Sequence, residues 1–172
     1  MGSRKKSYFG IYRGTVVNNV DPMQMGRVEV NVPDVGGVTS STWALPCAPM
    51  AGKHMGVFMV PQVGADVWVQ FEGGDADSPI WVGAWWSNAA DVPALATAGE
   101  PGDPPIVLQT ALRNAVMLCD LPGPDGGIIL TSAGGATIVV NDAGIFIENG
   151  RGASIELVGP AVTINAGALV VV

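Results

Sequence analysis

Gly26-Arg27-Val28-Glu29-Val30-Asn31-Val32-Pro33 alternates without a break between apolar and polar residues. Val28, Val30 and Val32 fall on one side of an extended chain and Arg27, Glu29 and Asn31 on the other, the period of two that marks a half-buried strand. Strand-like stretches flank it on both sides. Tyr8 to Val20 precedes it, rich in β-branched residues and ending in the turn signals Asn18-Asn19 and Asp21-Pro22. After a Gly-Gly and Ser/Thr loop come Ser41 to Cys47 around Trp43, then Gly56 to Val60, Ala65 to Glu72 and Pro79 to Trp86. Five or six strands in so short a span, the first long enough to bend and serve two sheets, predict a small closed barrel of the OB type over residues 8–88.

Composition agrees. The chain has 172 residues, 48% of them apolar and only 13% charged, with 24 glycines and 13 prolines, which is the balance of an all-β protein with many tight turns. The net charge is −7, and the basic residues are scattered apart from Arg4, Lys5 and Lys6 in a terminus, residues 1–7, read as flexible. Nucleic acid is therefore not an expected partner, because its affinity rests on grouped Lys and Arg. The polar start is not that of a signal peptide, so the chain is expected to be made in the cytoplasm, and no run is long and apolar enough for a membrane helix. Cys47 and Cys119 lack metal spacing and read as small buried hydrophobes.

From Ser87 to Pro105 the pattern lapses into Asn, Ala, Asp, Pro and Gly; residues 89–105 are read as a linker without ladder or helix. Beyond it, residues 106–172 change texture. Apolar pairs two apart recur as Ile128/Leu130, Ile138/Val140, Ile145/Ile147, Ile155/Leu157, Val162/Ile164 and Leu169/Val171, at steps of ten, seven, ten, seven and seven. Such a repeat predicts stacked strands lengthening along one axis. One copy is too thin to cover its own inward side chains. The expectation is an intertwined triple-stranded β-helix, or β-prism, in a homotrimer, with the first ten of those residues, Ile128 to Ile164, as its core and strands paired between chains. The terminus Leu169-Val170-Val171-Val172 is then the one bare edge, which a separate protein would cap.

Chemistry has few candidates. His54 is the single histidine and has no evident orienting partner; Glu72, Asp75 and Asp77 lie in a Gly-rich turn without the ligand ladder of a calcium loop. No catalytic residue, cofactor or metal site is expected. The five tryptophans, all in the barrel half, read as core packing and contact surface. Trp85 and Trp86 are consecutive and must point to opposite faces, so one of them is expected to meet a partner.

The stretch 26–33, then Trp43, then Pro61-Gln62-Val63-Gly64-Ala65-Asp66-Val67-Trp68-Val69-Gln70-Phe71-Glu72-Gly73-Gly74-Asp75-Ala76-Asp77-Ser78-Pro79-Ile80-Trp81-Val82-Gly83 resembles the N-terminal OB domain of the central spike proteins of contractile injection systems: phage baseplate spikes and the valine-glycine-repeat spikes of type VI secretion. The resemblance implies a structural spike docked on a baseplate or tube hub protein, assembled into a phage tail or phage-tail-like particle, virion or extracellular, and touching the target membrane transiently as it pierces the envelope. It also implies departures. Larger relatives insert a lysozyme domain where this chain has its linker, and some short spikes hold iron on a His-x-His motif that is absent here. A PAAR-type tip protein on Leu169 to Val172 is the implied substitute. Two other classes compete: an OB-fold binding module for nucleic acid or oligosaccharide, and a small cell-wall hydrolase.

Overall fold

The computed structural model describes residues 6–36 and 40–171. They divide into two compact units, Met1–Ala89 and Ala90–Val172. Among the described residues almost all regular structure is β, apart from one four-residue helix and short 3-10 turns. Among the described residues no helix is long and apolar enough to cross a membrane.

In the first unit, β1 (Tyr12–Asn18), β2 (Glu29–Asn31), β3 (Leu45–Pro46), β6 (Asp66–Phe71) and β7 (Pro79–Trp85) form one sheet in the order β2-β1-β6-β7-β3. A bridge between Val28 and Ala44, with backbone bonds in both directions, joins the two ends, so the sheet closes into a barrel. The alternation seen in the sequence is what fills it. Val28 and Val30 are fully buried and Val32 nearly so, together with Val16, Ala44, Val67, Val69 and Phe71. Helix α1 (Pro33–Gly36) starts at a proline, whose fixed φ suits a first helical turn. The turn from Asp21 to Arg27 is organised by one carboxylate. Asp21 accepts backbone N–H bonds from Met23, Met25 and Arg27 at 2.9, 2.8 and 3.2 Å.

Two expectations need correction here. Residues 56–60 are not a strand: β4 (Ala51–Gly52) and β5 (Met55–Gly56) make a small hairpin, and Val57 to Val60 run on without a ladder. Gly56 pairs with Ala51 and the Val57 N–H still bonds Met50 O at 3.0 Å, after which the ladder stops. Cys47 is exposed, whereas Cys119 is buried as expected.

In the second unit, β8 (Ile106–Gln109), β9 (Ala115–Cys119), β10 (Gly127–Thr131), β11 (Thr137–Asn141), β12 (Gly144–Glu148), β13 (Ser154–Val158), β14 (Ala161–Ile164) and β15 (Leu169–Val171) follow one another in an antiparallel meander. Each pairs with the next. The lengthwise hydrogen bonds that the sequence reading shared among chains therefore run within one chain, because turns of two to seven residues return the strand beside its predecessor. Polar turns repeat along one side: Thr110 N–H bonds Asn114 O, Ser132 N–H bonds Ala136 O, and Asn149 N–H bonds Ala153 O. Asn114 Oδ1 reaches across to Ala133 N–H at 3.0 Å, tying one turn to the next. Residues 89–105 are less empty than the sequence suggests, with 3-10 turns at Ala89–Asp91 and Ala94–Thr97 and a Glu100–Asp103 bridge.

Candidate functional site

The second unit brings the repeat residues together. Along one row, consecutive cross-strand partners are Ile106, Leu118, Ile128, Val140, Ile145, Leu157 and Val162; along the next, Leu108, Val116, Leu130, Ile138, Ile147, Ile155, Ile164 and Leu169. Directly opposed residues in an antiparallel ladder share a face. The ten predicted core residues therefore lie on one side of the sheet in two unbroken files. Ile128, Leu130, Ile138, Val140, Ile145, Ile147, Ile155 and Leu157 are between 36% and 50% exposed in the single chain, while Val162 and Ile164 are half-buried. The Leu130 file borders a hollow of about 720 Å³. An apolar face this regular and this bare is what a monomeric protein avoids.

Sequence reasoning missed the first four members of these files. Ile106, Leu108, Val116 and Leu118 carry the same two-apart spacing, but apolar neighbours at Val107 and Met117 hide the alternation; Met117 is buried on the opposite face. Leu169 is exposed on β15, the last strand of the sheet, whose outer edge has no ladder among the described residues. Val170 and Val171 belong to that strand by backbone, and Val172 lies outside the described residues.

On the barrel, Trp85 and Trp86 part as their adjacency requires. Trp85 packs on Trp68, ring centroids 5.6 Å apart, and the Arg13 guanidinium lies over both rings, 4.8 Å from Trp85 and 5.8 Å from Trp68. Its Nε1 is buried without a hydrogen-bond acceptor, which costs about 1–3 kcal/mol. Trp86, just beyond the end of β7, is 61% exposed. Trp81 instead serves the core, donating from Nε1 to Gly26 O at 3.2 Å. His54 occupies the tip of the β4–β5 hairpin with φ +58°, and Asp75 and Asp77 form the turn between β6 and β7.

A second salient feature of the barrel is charged. Arg27 donates to Asp21 Oδ1 from Nε at 3.0 Å and Nη2 at 2.6 Å. This pair, with the three backbone donors, holds the Asp21 carboxyl well below the usual carboxylate range, and the carboxylate in turn raises Arg27. Arg27 also lies 5.4 Å over the Trp43 ring, so one residue links the 21–27 turn to the strand that closes the barrel.

Comparison with known families gives two matches. Residues 12–86 match the type VI secretion system/phage-baseplate injector OB domain, and residues 105–170 match the phage baseplate V C-terminal trimerisation domain. No curated protein matches the chain. Together the two matches take in both folded units in order, and the segment between them is too short for an inserted lysozyme domain. The chain belongs to the central spike family of phage baseplates and type VI secretion. Its role is structural, its C-terminal unit makes it a homotrimer associated with a baseplate, and it is built into a phage-tail or secretion-apparatus particle.

Proposed function

We propose that three copies turn the two-file face toward a common axis and so form a stiff column that pierces the target cell envelope. The continuous run of bare Ile, Leu and Val on one side of the meander carries this reading. Burying each of these side chains contributes about 1.5–3 kcal/mol relative to leaving it exposed, and in the single chain these files stay largely exposed. The work is mechanical rather than catalytic: with a ladder at every step, extension along the column would have to break many backbone hydrogen bonds. The OB unit docks on the hub through the surface around Trp86. A PAAR-type tip protein covers the free edge of β15, where a bare apolar strand would otherwise recruit other chains, and contact with the target membrane follows as the tip passes.

Light scattering behind a sizing column tests the core assignment. The native chain should have a mass near three times 17.6 kDa. Replacing Ile138 and Ile147 with Asp places two carboxylates in the files and should give monomers; an intact trimer from that variant would exclude the face as the trimer core. Trp86→Ala should leave the trimer intact and weaken hub binding, by about tenfold or more if Trp86 is a buried anchor. Unchanged hub affinity would remove it from the interface.

A further inference from the structure

Beside β7 the barrel carries an apolar groove of about 790 Å³. Its walls include Met25, Cys47, Met50, Phe58, Met59 and Trp81, and its rim follows Val82 to Ala84. Strand β3 pairs with β7 only at Ile80 and Trp81, so among the described residues no strand lies beside the rest of that edge. Phe58, Met59, Met55 and Met50 are 69%, 57%, 60% and 49% exposed. Unbranched thioethers adapt to an incoming side chain, which makes such a surface suited to protein contact. The same unit presents a second uncovered apolar element, the segment leading into β1: Phe9 lies over Gly74 yet is 73% exposed, and Ile11, two residues on, is 54% exposed.

Trimer symmetry decides how two such patches are used. Away from the three-fold axis, each contact of such a ring brings one patch against a different one on the next copy, and the ring closes when every copy offers both. The trimerisation unit holds three barrels together through a short connector, an effective concentration on the order of millimolar. We infer that the groove is occupied by the Phe9–Ile11 segment of a neighbouring copy, which lies along the open edge of β7 with the two side chains among the methionines. This rests on the trimer assigned above.

Cys47 is the reporter already in place, exposed in the single chain and lining the groove. In the purified trimer it should react with a maleimide about tenfold more slowly than in the Phe9→Ala, Ile11→Ala double variant, because thiol reactivity follows access. The mass of each sample is measured alongside. A monomeric native chain would defeat the trimer reading itself; a trimer whose Cys47 reacts equally fast with and without Phe9 and Ile11 would overturn the groove assignment alone. Mild oxidation of a Phe9→Cys variant gives a second measurement that does not depend on loosening the barrel. A covalent trimer on a non-reducing gel supports the head-to-tail ring, and bands at the monomer position only, from a sample that is trimeric in solution, count against it.

Discussion

Asp21 Oδ1 takes both the Nε and the Nη2 hydrogens of Arg27, while Oδ2 takes the backbone N–H groups of Met25 and Arg27 itself. The Asp21 side chain is 4% exposed and that of Arg27 16%. The turn before the alternating strand is thus held by an ionised carboxylate.

A pH dependence follows with a defined sign. The folded carboxyl sits below its ordinary value of 3.8, so its contribution to stability is fully present above that pH and is lost as pH falls toward the folded value. Urea unfolding followed by tryptophan fluorescence should therefore show the barrel weakening below about pH 4. Asp21→Asn should lower stability at pH 7 and flatten this acid limb. An acid limb that is as steep in the variant would assign the loss to other carboxylates.

The alternation of Val28, Val30 and Val32 makes a second expectation quantitative. Val30 is fully buried in the barrel core. Val30→Ala removes two methyl groups and leaves a cavity, and should cost about 2 kcal/mol. Glu29→Ala, on the outer side, gives up only a hydrogen bond from Asn18 at 3.0 Å and should cost less than 1 kcal/mol. Equal losses in denaturant titrations would mean that the strand is buried on both faces.

Those same residues show why the barrel was legible in advance. Strict alternation over Gly26 to Pro33 leaves only one face to bury, and the structure buries it. The two-apart pairs from Ile128 to Ile164 likewise dictate a common face, whatever chain supplies the neighbouring strand. What spacing alone does not carry is which strand lies beside which, and here short polar turns such as Ser132 to Ala136 return the chain onto itself instead of passing it to a partner. The run Val57 to Val60 misleads for a different reason. Its apolar residues have strand propensity, but the β4–β5 hairpin ends at Gly56, and the side chains that follow end up walling a groove rather than joining a ladder. Trp85 and Trp86 differ in exposure, but the Arg13 and Trp68 partners that cover Trp85 on the outer face of the sheet are distant in sequence.

Gly127 shows how closely the second unit is packed at its strand ends. Its φ is +95°, and a Cβ added there would stand 2.1 Å from the Val140 carbonyl oxygen, on the strand that pairs with it. Both the backbone conformation and the ladder oppose any side chain. Gly127→Ala should reduce the thermal stability of the trimer by several degrees, the scale expected for losses of about 1–3 kcal/mol. Gly102→Ala, where no heavy atom comes within 4 Å of the added Cβ, should change it little. If differential scanning calorimetry gave the two variants the same melting temperature, the tight approach at Gly127 would not be limiting.

The recurrence of turns every two strands allows the column to be shortened by whole repeats. Ser132–Ala136 closes β10 onto β11 and Asn149–Ala153 closes β12 onto β13, with the same backbone bond at the base of each. Deleting residues 132–148 joins Thr131 to Asn149, so the second turn takes the place of the first. Leu130 then meets Ile155 and Ile128 meets Leu157, which keeps both apolar files continuous and the strand directions alternating. A column of stacked repeats depends on nearest-neighbour contacts, so the shortened chain should still fold with a β-type circular dichroism spectrum and still form a trimer. Two strands removed at about 4.8 Å each should shorten it by about 10 Å, a change that small-angle scattering can measure. Deleting 132–141 instead removes one strand with its turn and reverses the direction of everything after it. That variant should fail to trimerise, and if it assembled as well as the whole-repeat deletion, the two files would not be what specifies the column.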